Sequence, residues 1–284
     1  MPVLFRNEGA TCFFNVAMQM LLSTAAFRDA VKTEFRKRES PMLGLLHHIV
    51  TKLEDLPSAN AALIASPRNF AGFIPCLRDL HRMQDVFECI DEILEQLSVP
   101  GSPRPNNFDS IEAASAAIEA HMSSFSSIFC IVSETHTCMT CSKTTIHFSP
   151  LLNVSKVSDT HTISDAVCET CTTRQPRRVS YAIVRPGRAI FVRLSRHDAR
   201  GQKRHDRICL NEGVTIVGAR YSMCCMVYHD GLTFDGGHYT CAFKTLTSGA
   251  WVLNSDTTCR FAGSQFDVSH HDAHKTYGAV YSTL

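Results

Sequence analysis

The sequence predicts an α+β protein with a helical N-terminal part and a mostly β-sheet remainder. Stretches with apolar residues at helical spacing lie in the N-terminal part, at residues 12–22, 42–56, 81–97 and 111–120. Later runs rich in β-branched and aromatic residues predict strands, at residues 128–134, 189–194, 221–228, 239–243, 250–253 and 278–284. Two CxxC pairs within the β-rich part indicate a metal-stabilised subregion.

The composition excludes several classes of protein. The 284 residues carry a formal net charge of +1, so no overall field favours nucleic acid or a membrane surface. No apolar run approaches the roughly 18 residues of a membrane span, and no signal-peptide region precedes the first helix. We therefore expect an intracellular monomer, cytoplasmic or nuclear, that binds neither nucleic acid nor membrane. In that reducing environment the thirteen cysteines are free, metal-bound or catalytic rather than disulfide-bonded.

Residues 7–22 place Cys12 at the start of a predicted amphipathic helix. Gly9 and Thr11 suit the turn and the cap before it, and Gln19 and Ser23 remain for a polar side. The positive end of the helix dipole and the free backbone N–H groups lower a thiol pKa and favour the nucleophilic thiolate. Cys12 is therefore a candidate nucleophile, although a small buried hydrophobe is the commoner role of cysteine.

Weaker helix signals follow along the chain. Ser66 and Pro67 predict a cap and a first helical residue. In the helix predicted at 81–97, Asp85 and Glu88 fall in the first turns, where carboxylates suit the dipole. The alternative is that both are simply solvated. Residues 99–110 are rich in Pro, Gly, Ser and Asn and predict a loop.

The two CxxC pairs predict a structural zinc site. Cys138 and Cys141 form the first pair, and Cys168 and Cys171 form the second after a gap of 26 residues. A two-residue spacing lets both thiolates of a pair bind one ion, and two pairs make a closed four-cysteine site that pins two hairpins together. Such a site has no open position for catalysis. The alternative for a CxxC pair is redox chemistry. We expect the nearby histidines to be surface residues rather than ligands: His136, His147 and His161.

His238 is a candidate partner for Cys12. It follows two glycines at the start of a predicted strand, and residues 254–256 end the next strand of a predicted hairpin. Antiparallel pairing brings the His238 ring close to that end. A thiolate, an imidazole that accepts and returns its proton, and a third group that holds the imidazole are the parts of nucleophilic catalysis.

Together these stretches resemble the ubiquitin-specific proteases, which are papain-like cysteine deubiquitinases. The cysteine box of that family, Asn-x-Gly-(Asn/Ala)-Thr-Cys-(Phe/Tyr)-x-Asn, is matched by NEGATCFFN at residues 7–15. QDVFE at 84–88 matches the Gln-Asp-x-x-Glu helix of the family, and RAIFVRLSRH at 188–197 is similar to its strand ending in Leu-Lys-Arg-Phe. The histidine region is matched by Tyr221, His229-Asp-Gly, Gly237-His238-Tyr239 and Trp251.

The resemblance implies a fold and a set of roles. The fold would be papain-like, with a helical thumb (1–125), fingers that carry a zinc ribbon and the start of the palm (126–195), and a β palm (196–284). Cys12 would attack the carbonyl of the C-terminal glycine of ubiquitin, with His238 as general base and then acid, and Asn7 as the oxyanion donor. The substrate-binding positions would be Gln84, Asp85, Gly237 and Tyr239. Zn²⁺ would be structural, and ubiquitin or ubiquitinated proteins would be the partners.

The third member of the catalytic triad has two candidates. Counting from Trp251, the orienting Asp or Asn of the family falls on Ser255, and the acidic residue after it falls on Asp256. Position favours Ser255. Charge favours Asp256, because a serine cannot stabilise an imidazolium as a carboxylate does. If position decides, Ser255→Ala lowers kcat much more than Asp256→Ala.

Other features leave the function more open. The chain is the size of a minimal catalytic domain with short fingers, which would suit a virus or a parasite. Residues 174–207 hold eleven Lys and Arg against Asp198 and Asp206. That segment is either a solvated face or a contact for an acidic partner or a second ubiquitin, and we expect its part at 199–206 to be a mobile loop.

The alternative functions are a protease for another modifier that ends in Gly-Gly, a catalytically weak ubiquitin-binding module, and a redox protein.

Overall fold

The computed structural model describes residues 3–55, 63–154, 160–196, 202–233 and 236–283. Five α-helices lie among the described residues between positions 12 and 122: Cys12–Ser23 (α1), Ala25–Lys37 (α2), Pro41–Asp55 (α3), Val86–Gln96 (α4) and Ile111–Met122 (α5). Two short strands, Val3–Phe5 (β1) and Leu63–Ala65 (β2), pair in parallel beside them. The predicted helical N-terminal part is confirmed.

Helix α1 is the centre of the fold, and its predicted amphipathic character is wrong. Every residue from Cys12 to Leu22 is buried, including Gln19, which was predicted for the polar side, and a second amide, Asn15. The Asn15 amide donates to the carbonyl of Phe5 at 3.3 Å, and the Gln19 amide donates to the carbonyl of Val3. Because these amides find acceptors inside the protein, the helix can be covered on all sides.

The remaining helix predictions differ in their boundaries. Residues 24–40, for which we predicted no element, contain α2, which begins where the Thr24 hydroxyl accepts a bond from the Phe27 N–H. Helix α4 begins at residue 86 rather than 81, because the Asp85 carboxylate caps it. Ser66 does act as a cap, but only for a 3₁₀ turn at Pro67–Asn69.

A seven-stranded antiparallel sheet forms the larger β region. Its strands lie in the order β12-β11-β10-β9-β13-β7, with β8 paired to β9 outside that path. Their bounds are Ala189–Arg193 (β7), Gly213–Ile216 (β8), Ala219–Thr233 (β9), Gly236–Lys244 (β10), Trp251–Ser255 (β11), Thr258–Gly263 (β12) and Thr276–Thr283 (β13). Helix α1 packs against β10 at the centre of this sheet, so the helical part and the sheet share one apolar core.

A second, four-stranded antiparallel sheet is made of two hairpins. One hairpin is Cys130–Cys138 (β3) with Thr144–Leu151 (β4), and the other is Thr160–Val167 (β5) with Arg174–Arg185 (β6). The order β4-β3-β6-β5 places the two hairpins side by side. Only β3 of these was predicted as a strand. Strands β4 and β5 are short of adjacent apolar residues, whereas the apolar run at 181–184 within β6 was overlooked.

The basic segment at 174–207 is partly internal. Arg188 lies 3.2 Å from the Asp29 carboxylate and Arg193 lies 3.1 Å from that of Asp85. Arg196 is only 1% exposed, and the buried Lys203 donates to the carbonyl of His229. A fully solvated face is therefore excluded for these four side chains. The loop predicted at 199–206 falls partly outside the described residues.

None of the helices in the described ranges is both long and apolar enough to cross a bilayer.

Candidate active site

The candidate nucleophile lies at the junction between the first helix and the large sheet. Cys12 is the first residue of α1 and is 2% exposed. Its Sγ accepts a hydrogen bond at 3.4 Å from the backbone N–H of Tyr239, the residue after His238 on β10. This contact joins two stretches that are more than two hundred residues apart in the sequence.

The Cys12 thiol is less acidic than the helix position alone predicts. Burial raises its pKa, and the nearby Asp256 carboxylate raises it further. Backbone N–H groups of Tyr239, Phe13 and Cys12 itself lower it, as expected at a helix start, but they do not outweigh burial. The predicted low thiol pKa is therefore wrong for this state of the protein, and forming the thiolate requires a base close by.

His238 reaches both candidates for the third triad position. Its Nε2 lies 2.9 Å from the Ser255 hydroxyl and 3.8 Å from the Asp256 carboxylate. The pairing of β10 with β11 sets this arrangement, with Cys241 opposite Asn254. Since Nε2 is engaged with Ser255, Nδ1 is the ring nitrogen that can exchange a proton with the thiol.

Gly237 allows the close packing that positions His238. Its φ of +137° is a conformation that L side chains rarely adopt, and a Cβ there would lie 2.4 Å from the carbonyl of Asp230. The strand pairing is irregular at this point, between Gly236 and His238. The glycine is thus required by the backbone beside the histidine, whereas its role in substrate binding stays a prediction.

Asn7 lies across the site with both ends of its amide fixed. Its Oδ1 accepts the backbone N–H of Thr11 at 3.2 Å, and its Nδ2 donates to the Asp256 carboxylate at 3.0 Å. An amide nitrogen has two N–H groups, so one remains free to donate to a substrate oxygen. Thr11 itself is not a side-chain cap of α1, which corrects that prediction; its hydroxyl instead accepts the N–H of Glu8.

Asp85 is engaged within the protein. One carboxylate oxygen accepts the N–H groups of Phe87 and Glu88, at 2.8 and 3.2 Å. The other accepts from Arg193 and from the Tyr277 hydroxyl. The solvated alternative for Asp85 is therefore wrong. The role in substrate binding that was predicted for Asp85 and for the half-buried Gln84 stays a prediction.

Tyr239 and Tyr277 connect this carboxylate to the nucleophile. Their ring centroids are 5.5 Å apart, and the buried His229 ring packs against both. Sequence reasoning did not single out Tyr277 or Arg193 as site residues. The only available signal was indirect, because an aspartate that caps a buried helix end needs further partners for its second oxygen.

Asn15 is a second residue of the site that sequence reasoning passed over. Its buried Nδ2 donates to the other oxygen of the Asp256 carboxylate. A signal was present, since Asn15 ends the NEGATCFFN stretch. Asp256 has a φ of +52° and donors on both of its oxygens, so the turn after β11 is held from α1.

The candidate metal centre lies at the tips of the two hairpins of the four-stranded sheet. Its sulfur atoms all lie within 4.8 Å of one another: those of Cys138, Cys141, Cys168 and Cys171. Four sulfurs held tetrahedrally at a Zn–S distance of about 2.3 Å would be about 3.8 Å apart. The measured Cys138–Cys171 and Cys141–Cys168 distances are 3.9 and 3.7 Å. The cluster can hold a metal ion, and its spacing fits zinc.

The two turns of this centre repeat the same backbone geometry. The residue after the second cysteine of each pair has positive φ, +59° at Ser142 and +57° at Thr172. Backbone N–H groups of Cys141 and Thr140 lower the pKa of Cys138 to about 6, which favours the thiolate that a metal needs. Among the described residues, this is the one group of three or more possible metal ligands.

His136 and His147 are not among these ligands. His136 instead bonds the Glu134 carboxylate at 2.8 Å, and His147 lies 4.0 Å from that of Asp109. The side chain of His161 is outside the described residues.

Comparison with protein families identifies the chain. The ubiquitin carboxyl-terminal hydrolase family matches residues 4–277. The chain belongs to this family. As a ubiquitin carboxyl-terminal hydrolase it is a deubiquitinase, an enzyme of the cysteine hydrolase type, which confirms the predicted function class. Comparison with curated protein sequences gives no match.

A solved structure with the same fold supports the predicted architecture of this hydrolase. The chain is similar to one in the structure of the SAGA Ubp8/Sgf11/Sus1/Sgf73 DUB module bound to ubiquitin aldehyde. The TM-score is 0.70 at 16% sequence identity, over 100% of this chain and 70% of that one. The papain-like fold with thumb, palm and fingers is confirmed. The exact boundaries predicted for the three regions stay predictions.

Proposed function

We propose that this hydrolase cleaves the isopeptide or peptide bond after the C-terminal glycine of ubiquitin through a thioester on Cys12. One set of contacts carries the residue assignment: Asp256 lies 3.0 Å from the Asn7 amide and 3.8 Å from His238 Nε2, and the N–H of Tyr239, the residue after His238, bonds the Cys12 sulfur. Ubiquitin is proposed as the substrate because the family is defined by that activity and because the structurally similar DUB module is a complex with ubiquitin aldehyde.

The first half of the reaction acylates the enzyme. His238 Nδ1 takes the thiol proton while the sulfur of Cys12 attacks the carbonyl carbon of the terminal glycine. The negative charge that develops on the carbonyl oxygen is stabilised by the free N–H of Asn7, an interaction worth about 3 kcal/mol in comparable sites. When the C–N bond breaks, the leaving amine takes the proton from the imidazolium, and ubiquitin remains as a thioester.

The second half releases ubiquitin. A water molecule gives one proton to His238 as its oxygen attacks the thioester carbon. Collapse of the intermediate breaks the C–S bond, and the sulfur recovers its proton from the imidazolium. The products are the ubiquitin carboxylate and the free Cys12 thiol.

Ser255 and Asp256 divide the role of the third triad member in this proposal. The Ser255 hydroxyl is the direct hydrogen-bond partner of His238, at 2.9 Å. The Asp256 carboxylate supplies the negative charge that favours the imidazolium, from 3.8 Å, and it also holds the Asn7 amide. The sequence left these residues as alternatives, and the distances support a use for both.

Zn²⁺ is the metal that we propose for the four-cysteine centre. The sulfur spacing fits tetrahedral coordination, and four thiolates leave no open position, so the ion would stabilise the fingers and take no part in the chemistry.

The proposal is tested with electrophilic probes. Ubiquitin with a C-terminal vinyl methyl ester, and parallel probes made from other modifiers that end in Gly-Gly, are incubated with the wild type, Cys12→Ser and His238→Ala. We expect a covalent ubiquitin adduct on Cys12, none with Cys12→Ser, and labelling at least ~1,000-fold slower with His238→Ala. Labelling by another modifier alone would move the substrate assignment to that modifier. Folded, zinc-loaded protein that reacts with no probe would overturn the proposed chemistry.

A further inference from the structure

We infer that Asn15 is a positioning residue for catalysis, which acts by holding the Asp256 carboxylate between His238 and Asn7. The inference rests on the proposed function. The residue lies on the face of α1 that meets the turn between β11 and β12, and it is 1% exposed. It touches none of the reacting groups, so its influence on the reaction has to pass through Asp256.

The contacts of Asp256 support this role. Its Oδ1 accepts from the Asn15 amide, and its Oδ2 accepts from the Asn7 amide at 3.0 Å and lies 3.8 Å from His238 Nε2. One oxygen is thus held by Asn15 while the other faces both halves of the proposed site. If the Asn15 donor is removed, the carboxylate can rotate about χ2 and both distances to Oδ2 change together.

The backbone at Asp256 explains why a holding contact is needed. With φ at +52°, Asp256 is in a conformation that costs free energy for a residue other than glycine. Asn254 bonds the carbonyl of Asp256 at 2.9 Å and fixes the backbone of the turn, but it does not reach the carboxylate. Among the described residues, Asn7 and Asn15 are its two hydrogen-bond donors.

Asn15 also connects the two parts of the molecule that carry the site. The same Nδ2 lies 3.3 and 3.4 Å from the carbonyls of Phe5 and Arg6, just before Asn7. The stretch that carries Asn7, the helix that carries Cys12 and the turn that follows Ser255 therefore meet at one amide. A purely structural role would use the bonds to Phe5 and Arg6, whereas a positioning role uses the bond to Asp256.

A double-mutant cycle separates these roles. The kcat/KM for ubiquitin with a C-terminal fluorophore is measured for the wild type, Asn15→Ala, Asp256→Ala and the double variant. We expect Asn15→Ala to lower kcat/KM by about 10- to 100-fold, as for loss of a hydrogen bond to a charged group. The kcat/KM of the double variant should be no more than about 2-fold below that of Asp256→Ala, because the two residues act through one carboxylate. The inference would be overturned if the decreases in kcat/KM of the two single variants multiplied in the double variant. It would also be overturned if Asn15→Ala were as active as the wild type.

Two further measurements keep a folding defect from being mistaken for this effect. Gln19→Ala is the matched control, because Gln19 is a buried amide one turn further along α1. Within the described part of the chain, its side chain bonds one group, the backbone carbonyl of Val3. Gln19→Ala should lower the unfolding midpoint as much as Asn15→Ala does. Any decrease in kcat/KM that it causes should multiply with the decrease caused by Asp256→Ala. Asn15→Asp keeps the size of the side chain and should lose as much activity as Asn15→Ala. Activity retained in Asn15→Asp would also overturn the inference.

The pH dependence of Cys12 alkylation by iodoacetamide gives an independent readout. The Asp256 charge raises the pKa of the thiol, so displacing it should move the alkylation profile of Asn15→Ala to lower pH, in the direction of Asp256→Ala. An unmoved profile speaks against the inference. Cys12→Ser is measured in parallel, since activity without the Cys12 thiol would overturn the proposed function whatever the Asn15 result.

Discussion

The catalytic junction and the fingers are both built around cysteine, and they treat the thiol in opposite ways. At the junction, Cys12 is buried, accepts one hydrogen bond from Tyr239, and has its pKa raised. At the finger tips, Cys138 receives two backbone N–H groups that lower its pKa to about 6. Both thiols lie at the end of a regular element and both are 2% exposed, so the contrast between these two residues comes from their surroundings. It does not extend to every thiol of the cluster, because the neighbouring cysteines raise the pKa of Cys171 to about 12.

The difference follows from what each site does. A structural metal centre needs thiolate as its resting state, and backbone N–H groups of the two turns lower the pKa of Cys138 and of Cys168. A catalytic thiol must lose its proton to a partner and recover it in each turnover. Because burial favours the protonated Cys12 thiol, the proposed mechanism makes formation of the nucleophile depend on His238, the residue before Tyr239.

The largest expected effect concerns the four-cysteine centre of the fingers. We predict that Cys141→Ser abolishes stoichiometric zinc binding and unfolds strands β3 to β6, because structural zinc contributes on the order of 10 kcal/mol in small metal-dependent folds. The measurements are zinc content by mass spectrometry and hydrogen exchange of the backbone. Strands β9, β10 and β13 should keep their protection, since they belong to a separate sheet.

The control for this experiment is Cys209→Ser, which alters an exposed cysteine outside the cluster. It should retain one zinc ion and normal exchange. A native protein without zinc, or a Cys141→Ser variant with unchanged exchange in the fingers, would contradict the metal assignment.

The next effect tests the catalytic side. We predict that Asp256→Asn lowers kcat/KM by about 100-fold and Ser255→Ala by about 10-fold. A charge about 4 Å from the imidazolium is worth up to roughly 4 kcal/mol near a protein surface, whereas a neutral hydrogen bond contributes about 1 kcal/mol. The measurement is steady-state hydrolysis of ubiquitin with a C-terminal fluorophore.

This order reverses the one expected from sequence position alone. A larger loss for Ser255→Ala would show that the direct bond to His238 dominates and that the Asp256 charge is screened. Equal thermal unfolding midpoints for the two variants are the control, because Asp256 also holds the turn to α1.

The sequence predicted most of the candidate site because its chemistry is local. Cys12 at a helix start, His238 after two glycines and the four-cysteine set depend on spacing within short stretches, and the structure has each of them at the predicted place. The pairing of β10 with β11 was also predictable, since a short hairpin leaves few registers.

What could not be predicted depends on long-range burial. The thiol pKa of Cys12 is set by the protein packed around it, which the helix position does not reveal. Strand β4 was missed because its side chains stay exposed or half-buried, which weakens its apolar pattern. The contacts of Asp85 with Arg193 and Tyr277 join residues more than a hundred positions apart.

The smallest effect concerns Asp91, which lies where the helical part meets the base of the fingers. Its carboxyl lines a cavity of about 230 Å³ between α4, α5 and the end of β4. Burial raises its pKa from 3.8 to about 6, although Arg104 and Arg193 oppose the shift. Between pH 4 and 6 the folded state therefore binds more protons than the unfolded state, so the wild type loses stability as pH rises through this range.

We predict that Asp91→Asn removes this loss. Its free energy of unfolding should match that of the wild type near pH 4 and exceed it by up to about 3 kcal/mol at pH 7.5, since a shift of about two pKa units corresponds to about 1.4 kcal/mol for each unit. Urea unfolding at both pH values measures the difference. Glu119→Gln, which alters an exposed carboxylate on the neighbouring helix α5, is the control and should change stability equally at both pH values. Parallel pH profiles for the wild type and Asp91→Asn would mean that the Asp91 carboxyl stays charged, and that the junction between helices and fingers admits enough water to solvate it.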